Sequence, residues 1–390
     1  MKRALHICFV AIFLFLILPY LSLTYKSHRF TKAYRLASYM FLANTITREA
    51  TSQDEVIQEI FAYTHRNLDA ISGVKTIWVS PLHDLRRGIA WCDQQSNVFA
   101  TLLAFKNIPA KYFYLFDDHG GSPHTMSLVN DGTEWQLMGP MNGLMFQKKA
   151  QNLTLEDIQN HPRLILYKKY FPEKYKQTLQ WYQTFIPLRK ESLKHLHEGL
   201  TAYDINIKDT NKHMICLTLK YFMFLFGDHF LHFFQDHWLH HKVRTLTPQE
   251  YQLDQVTPDF ITYFKARNYH LYNRYEKAKP LYEKMIQDYP QSRYTDDALF
   301  FLGKLYLKTD HLQKAIEVFQ DLEKTYPNSG WLITAHFFKG TAYEKMNNYE
   351  NALNEYYQSA FELQTPALEA YHRLLNQVKL TKIQTTSQQN

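Results

Sequence analysis

A fixed interval of 37 residues runs through the last third of the chain and restricts its fold more than any other feature. Tyr269, Tyr306 and Tyr343 recur at that spacing, as do Asn273, Asp310 and Asn347, then Ala278, Ala315 and Ala352, then Tyr282, Phe319 and Tyr356. Gly303 and Gly340 keep it, and so do Pro290 and Pro327. Small residues let helices approach closely, and a proline stops a helix from continuing. The pattern therefore predicts helical hairpins stacked side by side, each burying its apolar face against its neighbours. Three units fit residues 259–365, followed by a closing helix over residues 366–378 and a loose polar tail from Thr381.

Gly303, Tyr306, Ala315, Phe319 and Pro327 resemble the tetratricopeptide pattern, with a period slightly longer than that family's usual length of about 34. The joints Tyr289-Pro290-Gln291-Ser292 and Tyr326-Pro327-Asn328-Ser329 look like those of repeats in bacterial cell-envelope proteins. The resemblance implies a groove that binds a protein or peptide partner. A solenoid that serves only as a spacer is the plainer alternative.

Residues 86–146 carry the candidate chemistry. Cys92 precedes Val98, Leu102 and Phe105 at helical spacing, with Phe99 and Leu103 beside them. That places the thiol at a helix N-terminus, where unpaired N–H groups and the macrodipole favour an anion and lower a thiol pKa. Residues 110–116 read as a strand. Residues 124–129 and 133–138 flank Asn130-Asp131-Gly132, a hairpin signal. With Asp131-Gly132 as a two-residue turn, His124 lies opposite Gly139.

Cys92-Asp93-Gln94, the later His124 and the tail Gly143-Leu144-Met145-Phe146 resemble the transglutaminase-like branch of the papain-type cysteine fold, over residues 51–160. The resemblance implies an α+β domain in which Cys92 is the nucleophile and His124 the base, with no cofactor. It also implies an Asp to orient the His. The family's Trp-x-x-x-Asp-Pro is here Trp135-Gln136-Leu137-Met138-Gly139-Pro140, so glycine stands in its place. Asp117, Asp118, Asp131 and His119 could substitute only through an unusual geometry. In the worked Ser-His-Asp case, loss of the orienting acid costs about 10⁴ in rate. Thiols, however, need less activation than hydroxyls. Two readings stay open. One is a membrane-anchored Cys-His acyltransferase or amide hydrolase acting on protein or peptide amides of the envelope. The other is a catalytically inactive scaffold.

At 390 residues the chain suggests two or three domains. The expected boundaries are an anchor or signal segment over 1–30, a transglutaminase-like domain over 45–165, a helical connecting region over 166–258 and repeats over 259–380. Hydrophobic residues at 45% and aromatics at 16% exclude a disordered chain. The net charge of +7 is spread evenly, which gives nucleic-acid binding no support. Three cysteines exclude a disulfide scaffold and leave Cys92 and Cys216 as free thiols, with Cys8 in the apolar N-terminal run.

That run, residues 7–25, is uncharged and long enough for one membrane crossing. Ser22 and Thr24 make a poor cleavage site, so an uncleaved anchor is favoured over a signal peptide. Lys26, Arg29, Lys32 and Arg35 behind it would put the body in the cytoplasm by charge count, whereas the likeness to envelope proteins favours an extracytoplasmic, periplasmic body. The latter is the expectation. Capping boxes are expected at Ser52 to Glu55 and at Thr154 to Asp157, the first opening a helix with Val56, Ile57, Ile60, Phe61 and Thr64 on one face. Residues 214–226 suit a buried or membrane-surface helix. On a helix His229, His232, Asp236 and His240 would share one side, as metal ligands do. No partner motif accompanies them, so the reading is a polar helix face and no metal site.

Overall fold

Helices α1 (Ser27–Ile46), α2 (Gln53–Asn67), α3 (Pro81–Arg87) and α4 (Cys92–Ala104) lead into strands β1 (Ala110–Leu115), β2 (His124–Asn130), β3 (Trp135–Gly139) and β4 (Leu144–Lys149). The structure is a computed structural model that describes residues 27–70, 80–115, 124–149, 154–185, 197–198, 257–361 and 365–388. The apolar run at 7–25, Asp117, Asp118, His119, Cys216, the 214–226 segment and the His-rich stretch at 229–241 lie outside the described residues. Among those described, no helix is long and apolar enough to cross a membrane.

Ser52 caps α2 by accepting the Glu55 N–H, and the Glu55 carboxylate reaches back one residue further than a capping box requires, to the Thr51 N–H at 2.6 Å. Ile57, Ile60, Phe61 and Thr64 form its buried face. Helix α4 is buried along most of its length. One side lies on the sheet and the other meets α2 and α3.

The sheet has five antiparallel strands in the order β4-β3-β2-β1-β5, with β5 the short His197–Glu198. Pleating sends alternate residues to opposite faces. Val129 and Met138 join Val98, Phe99 and Leu102 of α4 on one face. Phe113, Met126, Leu128, Leu137 and Phe146 pack on the other against Ile158 of α5 (Leu155–Gln159) and Leu164 and Tyr167 of α6 (Pro162–Tyr170). Helix α7 (Pro172–Phe185) follows, so packing on the sheet continues beyond residue 165. The Thr154 box is closed in both directions, Asp157 N–H to Thr154 Oγ1 and Thr154 N–H to Asp157 Oδ2.

The β2–β3 turn differs from expectation. Asn130 pairs with Trp135, so the loop holds four residues, Asp131 to Glu134. The Asp131 carboxylate accepts from the Thr133 N–H, the Thr133 hydroxyl and the Glu134 N–H, and these bonds hold its pKa down at about 2. A side chain that ties up the loop's own amides displaces the two-residue turn. The register moves by two residues. Gly139 lies beside Met126 and Leu144 rather than opposite His124.

The C-terminal part follows the 37-residue interval closely. Helix pairs α8 (Pro258–Leu271) with α9 (Tyr275–Asp288), α10 (Thr295–Lys308) with α11 (Leu312–Thr325) and α12 (Leu332–Lys345) with α13 (Tyr349–Phe361) are closed by α14 (Thr365–Gln388). Asn273, Asp310 and Asn347 sit between the helices of each pair at φ of 58°, 56° and 60°, a left-handed conformation that Asn and Asp tolerate best after Gly. Ser292 and Ser329, from the two Tyr-Pro-x-Ser joints, donate to Asp259 and Asp296 at 2.6 and 2.8 Å, tying each joint to the start of the helix pair before it. Ala278, Ala315 and Ala352 are fully buried. Gly303 and Gly340 lie against the rings of Phe319 and Tyr356.

One apolar core runs unbroken from Leu36 in α1 to Ala342 in α12, so the helical N-terminal part and the repeats pack as a single body. A Cβ on Gly303 would sit 2.6 Å from the Phe319 ring, which is enclosed on all sides. Gly303→Ala should therefore cost about 1–3 kcal/mol through overpacking, despite its gain in helix propensity. Urea unfolding of the variant beside wild type measures this.

Candidate functional site

The backbone before α4 is held by side chains. Gln94 Oε1 accepts the Trp91 N–H at 3.2 Å, and Gln94 Nε2 donates to Asp84 Oδ1 at 2.9 Å. Gln95 Nε2 donates to Ala90 O at 2.9 Å. Asp84 is buried in α3, and burial raises its pKa well above the usual carboxylate range. This network places Cys92 at the first turn of α4, as the sequence implies.

Its chemistry is another matter. Cys92 is 9% exposed, and burial, with the Asp93 carboxylate adding to it, pushes the thiol pKa up. Hydrogen bonds from the hydroxyl and backbone of Thr125 act the other way and are outweighed. Desolvation of an anion overrides the favourable helix end. The expected thiolate is a thiol.

Thr125 is the β2 residue that bonds the sulfur, and the period of two along a regular strand assigns its neighbour His124, paired with Leu115, to the opposite face. Burial lowers the His124 pKa to about 3, so the ring stays neutral in any working buffer. Gly139 supplies no carboxylate, and Glu134 lies in the β2–β3 loop. Sequence reasoning missed Thr125. The signal was available in the period of two along β2, since only one of two adjacent residues can face α4.

A larger constellation lies where the repeats meet the N-terminal part. Arg267 of α8 donates through Nε to Arg86 O at 2.6 Å and through Nη2 to Leu85 O at 2.9 Å, capping the C-terminal carbonyls of α3. Its guanidinium lies 3.3 Å from the Phe301 ring centre. Arg86 returns two bonds to Asn268 Oδ1, at 3.2 and 2.9 Å. Phe301 abuts Gly88, whose φ of 73° allows the chain to turn there. Thr334 of α12 bonds Asp69. Lys304 and Asp297 of α10 lie half-buried at this contact. Burial, with Arg267 nearby, lowers the Lys304 pKa to about 7, and burial with Asp296 raises that of Asp297 to about 7. Helices α8, α10 and α12, the first of their pairs, thus contact residues 66–69 and 85–88 of the same chain.

Two further features complete the description. A cleft of about 1120 Å³ opens between α2, the β3–β4 hairpin, α6 and α14, lined by Phe61, His65, Met145, His161, Arg163 and Glu369 among others. His65 Nδ1 lies 2.9 Å from Pro140 O, and Arg163 bonds Gly143 O, so both hold the β3–β4 turn. Glu323, His336 and Glu355 present ligand atoms within 4.8 Å of one another. Lys339 Nζ already bridges the two carboxylates at 2.6 and 3.0 Å, so the site has its cation.

Residues 270–332 and 333–364 each match a tetratricopeptide-repeat family. These repeats form a protein-binding module. No curated protein matches the chain.

Two outcomes follow from this geometry. Arg267→Ala bares two buried carbonyls at about 1–3 kcal/mol each and should unlatch α3 from the repeats, with Arg267→Lys a partial rescue because it lacks the fork. Urea unfolding and limited proteolysis near residues 66–90 read the effect. For His124, the folded pKa of about 3 lies below the unfolded value of about 6.5. The unfolded chain therefore takes up the proton first as pH falls below about 6.5, and stability is lost in that direction. His124→Leu should gain about 2 kcal/mol on wild type between pH 7.5 and pH 5, at about 1.4 kcal/mol per pH unit below 6.5.

Proposed function

We propose that the chain is a membrane-tethered binding scaffold, in which the repeats clasp a transglutaminase-like domain that no longer performs acyl transfer. The observation that carries this reading is that Thr125, not His124, meets a buried Cys92 thiol whose pKa is raised. The glycine at position 139 agrees with it. Residues 7–25 supply the tether, with the body on the extracytoplasmic side. The first helices of the pairs are already in contact with residues 66–69 and 85–88, so an external protein or peptide is received elsewhere. The cleft between α2, the β3–β4 hairpin and α14 is the place it reaches.

The competing reading is a Cys92–His124 pair that attacks an amide carbonyl. Iodoacetamide labelling of Cys92, followed by mass spectrometry over a pH series, separates the two. The scaffold predicts slow labelling at pH 7 that accelerates only above the free-thiol range of about 8.5 and is unchanged by His124→Ala. Fast labelling at pH 7 that His124→Ala abolishes would overturn the proposal and restore the enzyme.

A further inference from the structure

A connected patch of rings crosses four helices. Tyr170 and Phe171, at the junction of α6 and α7, meet Tyr357 and Phe361 of α13 and Tyr371 of α14. The ring centres are 5.5 Å apart for Tyr170–Tyr371, 5.3 Å for Phe171–Tyr357, 5.9 Å for Phe171–Phe361 and 5.7 Å for Tyr357–Tyr371. Tyr357 and Phe361 remain 42% and 46% exposed. None of these residues lines the cleft at His65 and Arg163.

Lysines edge the rings. Lys169 Nζ lies 5.0 Å from the centre of Tyr170, Lys174 5.2 Å from Phe361 and Lys168 5.8 Å from Tyr175. Two nearby acids are already engaged, Glu173 with Lys176 at 2.7 Å and Glu369 with Arg163 at 2.6 Å. The patch is thus aromatic at its centre and positive at its rim.

We infer that this patch rests on an anionic lipid surface. Tyrosine and phenylalanine rings place their apolar bodies at headgroup depth, and lysines beside them meet the negative headgroups. A bound peptide strand or helix would ask instead for a sheet edge or a groove, and the ring patch is built from the sides of four helices. The inference rests on the proposed tether, since residues 7–25 would hold these helices within reach of a bilayer.

The test uses the full chain in nanodiscs of phosphatidylcholine, with or without added phosphatidylserine. Acetylation of Lys168, Lys169 and Lys174 is followed by mass spectrometry. Labelling should slow at least about fivefold when phosphatidylserine is present, recover in high salt, and lose its lipid dependence in a Tyr357→Ser, Phe361→Ser variant. Equal labelling in both discs overturns the inference. Slow labelling already in detergent without lipid means that protein covers the patch, which also overturns it. Protection by polyglutamate in neutral discs, equal to that by phosphatidylserine, identifies an acidic polypeptide partner instead and overturns it. Failure of the chain to enter discs refutes the tether alone, and its binding to phosphatidylserine vesicles then reads the patch directly.

Discussion

A buried arginine joins the two ends of this molecule. Arg267 comes from the first helix of the repeats and donates to the last carbonyls of α3, while its flat face lies on Phe301. A helix end leaves carbonyls without internal partners, and a guanidinium removed from water needs acceptors arranged in its own plane. Each requirement answers the other. Because α3 also carries Asp84, which binds Gln94, the contact passes from the repeats through α3 to the first turn of α4. The position of Cys92 thus depends on a residue 175 positions later in the chain.

This arrangement gives the repeats an unusual first partner. A helical-repeat stack displays a continuous surface to whatever fits it, and here the first helices of the pairs touch the chain's own residues 66–69 and 85–88. Burial of Lys304 and Asp297, Phe301 against Gly88 and Thr334 bonded to Asp69 all belong to the same contact. The apolar core that passes through it has no seam between the N-terminal part and the solenoid. The surface open to other molecules is therefore a composite of both parts.

At Cys92 two physical effects compete. The start of a helix stabilises an anion by an amount of order 1 kcal/mol, whereas enclosing a charge without a counter-ion costs more than that. The neighbouring Asp93 carboxylate adds repulsion, and Thr125 can return only part of the loss. A His on the same face would change the balance by supplying a positive charge. His124 pairs with Leu115 along the sheet, and burial holds its pKa down at about 3.

Much of the architecture was legible in the residues. The repeats, the Thr154 capping box and the start of α4 at Cys92 are governed by neighbours a few positions away, or by a period repeated three times. Such features need no knowledge of the rest of the chain. The β2–β3 register was not legible, because Asp131 chose between a two-residue turn and a four-residue loop by which amides its carboxylate could reach. Nor were the burial of Cys92, that of His124, or the contact of the repeats with residues 66–69 and 85–88. Each depends on which distant side chains exclude water from a given atom, and only the assembled tertiary structure decides that.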